Sequence, residues 1–135
     1  MSNAKKMVLK ETSKILEEVG LTDKAEMLAG ELSHGDQKRL EFGIALANNP
    51  QLVFLDEPTA GMSPEETVAS MNLTRKLAKE WGIALVFVEH DMNAVFGYSD
   101  KIRVLNRGTL IAEGTPKEIR ENVEVQRIYL GEGTK

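Results

Sequence analysis

Two short runs of apolar residues, 52–55 and 83–88, stand out from an otherwise mixed chain. Because neither run alternates with polar residues, each predicts a strand that is buried on both faces, as in a parallel sheet. Between the two runs, apolar positions from Val68 to Trp81 recur at helical spacing and predict a helix whose apolar side faces the core. Strand, helix and strand at this spacing predict a crossover unit of a parallel sheet, and therefore an α/β fold.

Helix-capping residues place further helices along the chain. Apolar positions from Met7 to Val19 predict a first helix, and residues 24–29 predict a short second one. Ser33 begins a third helix that runs to about residue 48, with Asp36 at the third position of a variant capping box. Ser63 caps the crossover helix.

The sequence pattern in the last third of the chain predicts short helices and strands. Residues 92–98 predict a helix, and residues 101–105 and 109–113 predict the two strands of a hairpin around Asn106, Arg107 and Gly108. Thr115 and Pro116 begin another capped helix, and residues 125–130 predict a last short one.

Composition narrows the classes of protein that fit. The chain has 135 residues, a net charge of −4 and no cysteine, so we expect one domain without disulfide or thiolate chemistry. The acidic balance argues against a general nucleic-acid partner. No apolar run approaches the roughly 20 residues of a membrane helix, so we expect a cytoplasmic chain that reaches a membrane only through a partner. Residues 1–4 resemble a cloning leader.

Candidate chemistry lies where the two predicted strands end. Asp56 and Glu57 follow the first apolar run, and Pro58 prevents the strand from continuing. His90 follows the second run. Open α/β sheets bind ligands at the carboxyl ends of their strands, so these side chains are candidates for a metal-assisted hydrolytic site. A charged turn after a strand, with a structural histidine nearby, is the alternative.

Four motifs in order resemble the second half of an ATP-binding-cassette (ABC) ATPase domain. Residues 32–39 (LSHGDQKR) resemble the signature motif, and residues 52–57 (LVFLDE) resemble the Walker B strand. Residues 60–63 (AGMS) resemble the D-loop, and residues 88–91 (VEHD) resemble the switch-histidine loop. The resemblance implies a P-loop NTPase-like core that lacks its N-terminal half, with parallel strands, flanking helices and a remnant of the helical subdomain. Residues 5–50 would end that subdomain and form the signature helix, and residues 51–135 would form the second half of the catalytic core.

The resemblance also implies ATP and Mg²⁺ as cofactors, with named roles for several residues. Asp56 would hold the magnesium ion, Glu57 would act as the base that polarises the attacking water, and His90 would contact the γ-phosphate. The remaining residues would bind ATP across the interface of two cassettes: Ser33, His34, Gly35, Asp36, Gly61, Met62 and Ser63. Ser33 and Ser63 could alternatively be helix caps alone.

Three of these residues depart from the usual family motifs. His34 stands in place of a glycine, Asp36 in place of a glutamine, and Ser63 in place of an acidic residue. The side chain of His34 limits the approach of backbone to a phosphate, and Asp36 adds negative charge near an anion. We interpret these departures as variation and not as loss of function.

Within the family, the chain looks most like the ATPase subunits of branched-chain amino acid importers. Residues 60–67, 88–92 and 124–131 carry this narrower resemblance. It implies a second ATPase subunit, transmembrane permease subunits and, indirectly, a solute-binding protein as partners, with the chain on the inner face of the cell membrane. Alternatives are urea or amide import, lipopolysaccharide export, a chromosome-maintenance type of ABC protein, and a non-catalytic half-cassette binding module. Residues 5–29 lack the sustained heptads that the chromosome-maintenance type would need.

No phosphate-binding loop of the form Gly-x-x-x-x-Gly-Lys-[Ser/Thr] occurs in the 135 residues. We therefore expect this chain to be the C-terminal part of one ABC ATPase domain and to hydrolyse ATP negligibly by itself. We also expect apolar sheet surface to be exposed and to cause self-association.

Overall fold

The computed structural model describes residues 3–130, which form two units that meet in sequence at His90 and Asp91. The first unit consists of α1 (Asn3–Glu18), α2 (His34–Leu46), β1 (Leu52–Asp56), α3 (Pro64–Glu80) and β2 (Ala84–Val88). The second unit consists of α4 (Met92–Tyr98), β3 (Ile102–Asn106), β4 (Thr109–Gly114), α5 (Pro116–Glu121) and α6 (Val123–Val125), followed by a π-helical turn at Gln126–Leu130. Within residues 3–130, no helix combines the length and apolar character needed to cross a bilayer.

The predicted parallel strand pair is confirmed. β1 and β2 pair in parallel, with Leu52 opposite Ala84 and Asp56 opposite Val88. Both strands therefore end at the same edge of the sheet. The core of this unit joins α1, α2, α3 and one face of the sheet, and its buried members include Val19, Leu21, Phe42, Leu46, Val53, Leu77 and Ile83.

The prediction that both strands are buried on both faces is wrong. Val53 is buried, but the neighbouring Phe54 is 71% exposed, and Val86 opposite it is 42% exposed. Side chains alternate between the two faces of a strand, and the described helices of this unit pack against the face that carries Val53. Val68 of α3 is also exposed, contrary to its predicted place in the core.

The predicted helix over residues 24–29 is also wrong. The segment contains two 3-10 turns, Thr22–Lys24 and Ala29–Glu31, separated by extended backbone at Leu28 (φ −70°, ψ 138°). Six residues are too few to offset the cost of helix nucleation without strong packing. None of the residues in the two turns is buried, so packing does not supply that stabilisation.

The predicted caps are confirmed for the later helices and only half confirmed for α2. Ser63 and Thr115 each form a complete capping box, with Glu66 and Glu118 respectively. Ser33 accepts a hydrogen bond from the Asp36 N–H at 3.2 Å, but the carboxylate of Asp36 pairs with Lys24 and Arg39 and does not return to the backbone of Ser33.

The second unit contains the predicted hairpin. Arg107 and Gly108 both have positive φ, 48° and 80°, which is the geometry of a tight two-residue turn between twisted strands. Ile102, Ile119 and Val125 form its small core. On the hairpin surface, hydrogen bonds from Lys101 and then Arg103 lower the pKa of Glu113 to about 2.

Candidate functional site at the carboxyl edge of the parallel strands

The loop after β1 begins with a strained residue. Glu57 has a φ of 46°, a left-handed conformation that non-glycine residues adopt rarely. Two backbone hydrogen bonds hold it there: the Glu57 N–H donates to the Val88 carbonyl at 2.9 Å, and the Ala60 N–H donates to the Glu57 carbonyl at 3.1 Å. Such backbone strain persists only where the surroundings enforce it, and it is concentrated at functional sites.

Glu57 and His90 lie within contact of each other. Oε1 of Glu57 is 3.1 Å from Nε2 of His90, and their side chains are 49% and 80% exposed. The contact follows from the parallel register, because Asp56 pairs with Val88 and the two loops leave the sheet side by side. A carboxylate and an imidazole in this arrangement can share or transfer a proton at a surface open to a ligand.

Asp56, the last residue of β1, is exposed at the same edge. Residues 3–130 contain no cluster of three or more His, Cys, Asp or Glu side chains that could hold a metal ion by themselves. A single carboxylate still fits Mg²⁺, which keeps several waters and takes its other ligands from substrate phosphates.

A third carboxylate, Glu89, joins the two loops. Its Oε1 accepts hydrogen bonds from the N–H of Thr59 at 2.7 Å and from the Thr59 hydroxyl at 2.6 Å. Its Oε2 accepts a hydrogen bond from the N–H of His90 at 3.0 Å. The role of this residue was not predicted from the sequence, because its contact with Thr59 joins positions 30 apart. The signal that could have found it is a carboxylate at the end of an apolar strand.

The beginning of α2 lies beside the loop that follows β1. A Cβ atom placed on Gly61 would lie 3.4 Å from Cγ of His34, so the imidazole packs closely against the backbone of Gly61. A Cβ atom placed on Gly35 would lie 3.7 Å from a carboxylate oxygen of Glu66. The structure thus brings the first residues of the predicted signature motif next to Gly61 and the first turn of α3.

The predicted site residues at the beginning of α2 and in the loop before α3 differ in exposure. Ser33 and His34 are exposed, whereas Gly35 and Asp36 are buried. Met62 is half-buried, and Ser63 is exposed and caps α3.

Asp36 points inward. Burial by itself raises the pKa of this carboxyl, but the hydrogen bond from Lys24, with smaller effects of Ser33 and Arg39, outweighs burial and holds the pKa below its ordinary value. Oδ1 lies 2.9 Å from Nη2 of Arg39, although not in hydrogen-bonding geometry. The negative charge that was expected near a bound anion is therefore offset by two cations of the chain.

Asp56, Glu57 and His90 therefore lie together at the carboxyl edge of two parallel strands, which is where open α/β sheets bind their ligands. A family model described as ABC transporter matches residues 2–60. A second, described as Branched-chain amino acid ATP-binding cassette transporter, matches residues 109–135. The chain belongs to the ATP-binding-cassette ATPase family.

Curated relatives narrow the resemblance within the family. The chain is 44% identical over 117 residues to the high-affinity branched-chain amino acid transport ATP-binding protein LivG of Escherichia coli and to BraF of Pseudomonas aeruginosa. These matches cover 87% of this chain and 46% of each relative, so the chain spans about half the length of the curated relatives it matches.

Solved cassettes share the fold. The crystal structure of MJ1267, an ATP-binding cassette of an ABC transporter, in its ADP conformation matches with a TM-score of 0.81 and 35% identity over 91% of this chain and 50% of that one. Another match is cbiO1 from Clostridium perfringens, part of the ABC transporter complex cbiONQ, with a TM-score of 0.80 and 31% identity over 94% of this chain and 51% of that one. The predicted P-loop NTPase-like fold is confirmed.

Proposed function

We propose that this chain forms part of the ATP-hydrolysing subunit of an importer for branched-chain amino acids. The observation that carries the hydrolytic role is the 3.1 Å approach of Glu57 to His90 at the edge where Asp56 ends β1. The transport role is supported by relatives whose names specify branched-chain amino acid transport.

Each residue of this edge has a distinct part in the proposal. Glu57 polarises a water for attack on the γ-phosphate. His90 hydrogen-bonds that phosphate and keeps the Glu57 carboxylate in place. Asp56 would hold Mg²⁺, and the bound ion would neutralise charge on the phosphates.

The beginning of α2 would serve a second nucleotide site, on a partner subunit. The first backbone hydrogen bond of α2 runs from the Gln37 N–H to the Ser33 carbonyl. The N–H groups before Gln37 therefore have no backbone acceptor within the helix. Such groups bind phosphate oxygens. We propose that Ser33, His34 and Gly35, with Gly61, Met62 and Ser63, cover the ATP of a second cassette, and that Asp36 shapes this turn from inside.

The proposed assembly is a pair of ATPase subunits bound to transmembrane permease subunits on the inner face of the membrane, supplied by a solute-binding protein. ATP binding would close the pair of cassettes, and hydrolysis would reopen it. Because the 135 residues contain no phosphate-binding loop, we propose that ATP turnover requires the complete subunit.

Replacement of Glu57 by glutamine in the complete subunit tests the hydrolytic role. Glutamine keeps the shape of the side chain but cannot act as a base, so the rate of ATP hydrolysis should fall by about 10³-fold while ATP binding persists. Glu121→Gln, at the exposed end of α5, is a matched control that should hydrolyse ATP at the wild-type rate. Turnover that survives Glu57→Gln would refute the role of Glu57.

The solute is tested separately, in the transporter reconstituted with its permease subunits. A binding protein loaded with leucine, isoleucine or valine should stimulate ATP hydrolysis. Stimulation by urea or a short amide, with none by these amino acids, would assign the chain to another importer.

A further inference from the structure

Glu89 forms hydrogen bonds with both loops that leave the edge of the parallel strands. One of its carboxylate oxygens accepts hydrogen bonds from Thr59, in the loop after β1. The other accepts a hydrogen bond from the backbone N–H of His90, in the loop after β2. Thr59 is buried, whereas the side chains of Glu57 and His90 are exposed.

We propose that Glu89 is a positioning residue that couples these two loops and thereby sets the separation of Glu57 and His90. This inference rests on the proposed function, in which both of those side chains act on the same phosphate. Glu89 itself touches neither the nucleotide nor the attacking water in this proposal. It acts through the backbone of the residues that do.

The backbone geometry makes Thr59 a suitable anchor. Thr59 lies between Glu57 and Ala60, and the hydrogen bond from Ala60 to Glu57 closes a tight turn around it. A shift of Thr59 therefore moves Glu57, whose positive φ already needs support from its surroundings. In the loop after β2, the hydrogen bond to Glu89 holds the backbone of His90 in place and thereby positions its imidazole.

The chemistry of the contact requires a carboxylate. Three donors converge on Glu89: the N–H and hydroxyl of Thr59 and the N–H of His90. An ionised carboxylate only accepts hydrogen bonds and offers two oxygens, so it satisfies both loops. Glutamine has one oxygen, so Glu89→Gln would turn an NH₂ group toward one of the two loops and release it.

Hydrogen exchange in the complete subunit tests the coupling without reference to activity. Thr59→Val removes the hydroxyl but keeps the backbone N–H, and we expect it to speed exchange at the amide of His90 by about fivefold, as read by mass spectrometry of peptides that contain His90 but not Thr59. Thr59→Ser keeps the hydroxyl and should restore slow exchange.

Thr115→Val is the matched control. It removes a hydroxyl that also donates to a glutamate, Glu118, at 2.9 Å, but in the capping box of α5. It should leave exchange at His90 unchanged. Equal exchange at His90 in wild type and Thr59→Val would overturn the coupling, as would the same acceleration in Thr115→Val.

The kinetics of ATP hydrolysis distinguish a positioning role of Glu89 from a loss of folding in the variant. We expect Glu89→Gln to lower kcat by about tenfold and to change KM for ATP by less than about twofold, because misplacement of reacting groups acts on the transition state. A raised KM with unchanged kcat would overturn the inference. If the wild-type subunit does not hydrolyse ATP, the proposed function fails, while the exchange experiment still decides whether Glu89 couples the loops.

Discussion

The carboxylate of Asp36 and the ammonium group of Lys24 form an ion pair that fastens the first turn of α2 to the 3-10 turn at Thr22–Lys24. The side chain of Asp36 is only 5% exposed, and Arg39 supplies a second cation from the next turn of α2. The pair therefore sets where the beginning of α2 lies relative to the segment that precedes it.

Replacement of Asp36 by asparagine should lower the free energy of unfolding by about 2 kcal/mol, because it removes the buried carboxylate that both Lys24 and Arg39 contact. Urea denaturation measures the change. Glu41→Gln is the control, since Glu41 pairs with Lys38 at 3.1 Å on the surface and should cost less than about 0.5 kcal/mol. Equal effects of the two substitutions would show that the Asp36 contact adds nothing beyond an exposed pair.

The contribution of the Asp36 carboxylate to stability should depend on pH. Lys24, Ser33 and Arg39 hold the pKa of Asp36 below the ordinary value of 3.8 in the folded chain despite the opposing effect of burial. A lowered folded pKa contributes stability that is fully present above 3.8 and is lost as the pH falls through the folded pKa. The difference in unfolding free energy between wild type and Asp36→Asn should thus be constant near neutrality and shrink in acid. A difference that grows in acid would contradict the assignment.

Two helical glycines should respond to alanine in opposite directions. At Gly43 of α2, an added Cβ would lie 3.1 Å from Cγ2 of Ile15 and 3.3 Å from Cγ1 of Val19, where α1 packs against α2. We expect Gly43→Ala to destabilise the chain by about 1 kcal/mol, since overpacking outweighs the better helix propensity of alanine. At Gly97 of α4, the same atom meets nothing within 4 Å.

Gly97→Ala should accordingly stabilise α4 by about 0.5 kcal/mol through helix propensity alone. Thermal unfolding of the two variants beside wild type measures both changes. The same sign at both positions would show that the α1–α2 contact can open to accommodate a methyl group.

The elements that could be predicted well from the sequence are formed by residues that lie close together in the chain. Ser63 and Glu66 are three residues apart, and the turn at Arg107 and Gly108 depends on backbone conformations that those two residues adopt locally. Residue types alone specify such structures. The parallel pairing of β1 with β2 was also predictable, because a helix of suitable length joins two apolar runs.

The errors have a common physical origin in contacts that the local pattern does not encode. The burial of Phe54 was predicted from its neighbours in β1, but it depends on what packs against that face of the sheet. Lys24 forms an ion pair with a residue 12 positions later, in α2. Asp56, Glu57 and His90 were predicted as site residues from their positions after apolar runs and remain predictions, whereas the contact of Glu89 with Thr59 joins positions 30 apart and is seen only in the fold.

The exposed face of the parallel sheet should make the 135-residue chain self-associate. Leu52 and Phe54 of β1 and Val86 and Val88 of β2 share this face and are 42–71% exposed. A contiguous apolar patch with unpaired strand edges beside it favours association in water. Phe54→Glu places a charge at the most exposed of these positions and should lower the average mass measured by light scattering at equal concentration.

Leu110→Glu provides the comparison, because Leu110 is 52% exposed on β4, in the second unit. It should leave the association unchanged if the sheet of β1 and β2 is the contact. A wild-type chain that remains monomeric at high concentration would show that this apolar face is tolerated in water. Reduced association in Leu110→Glu but not in Phe54→Glu would instead locate the contact on the hairpin.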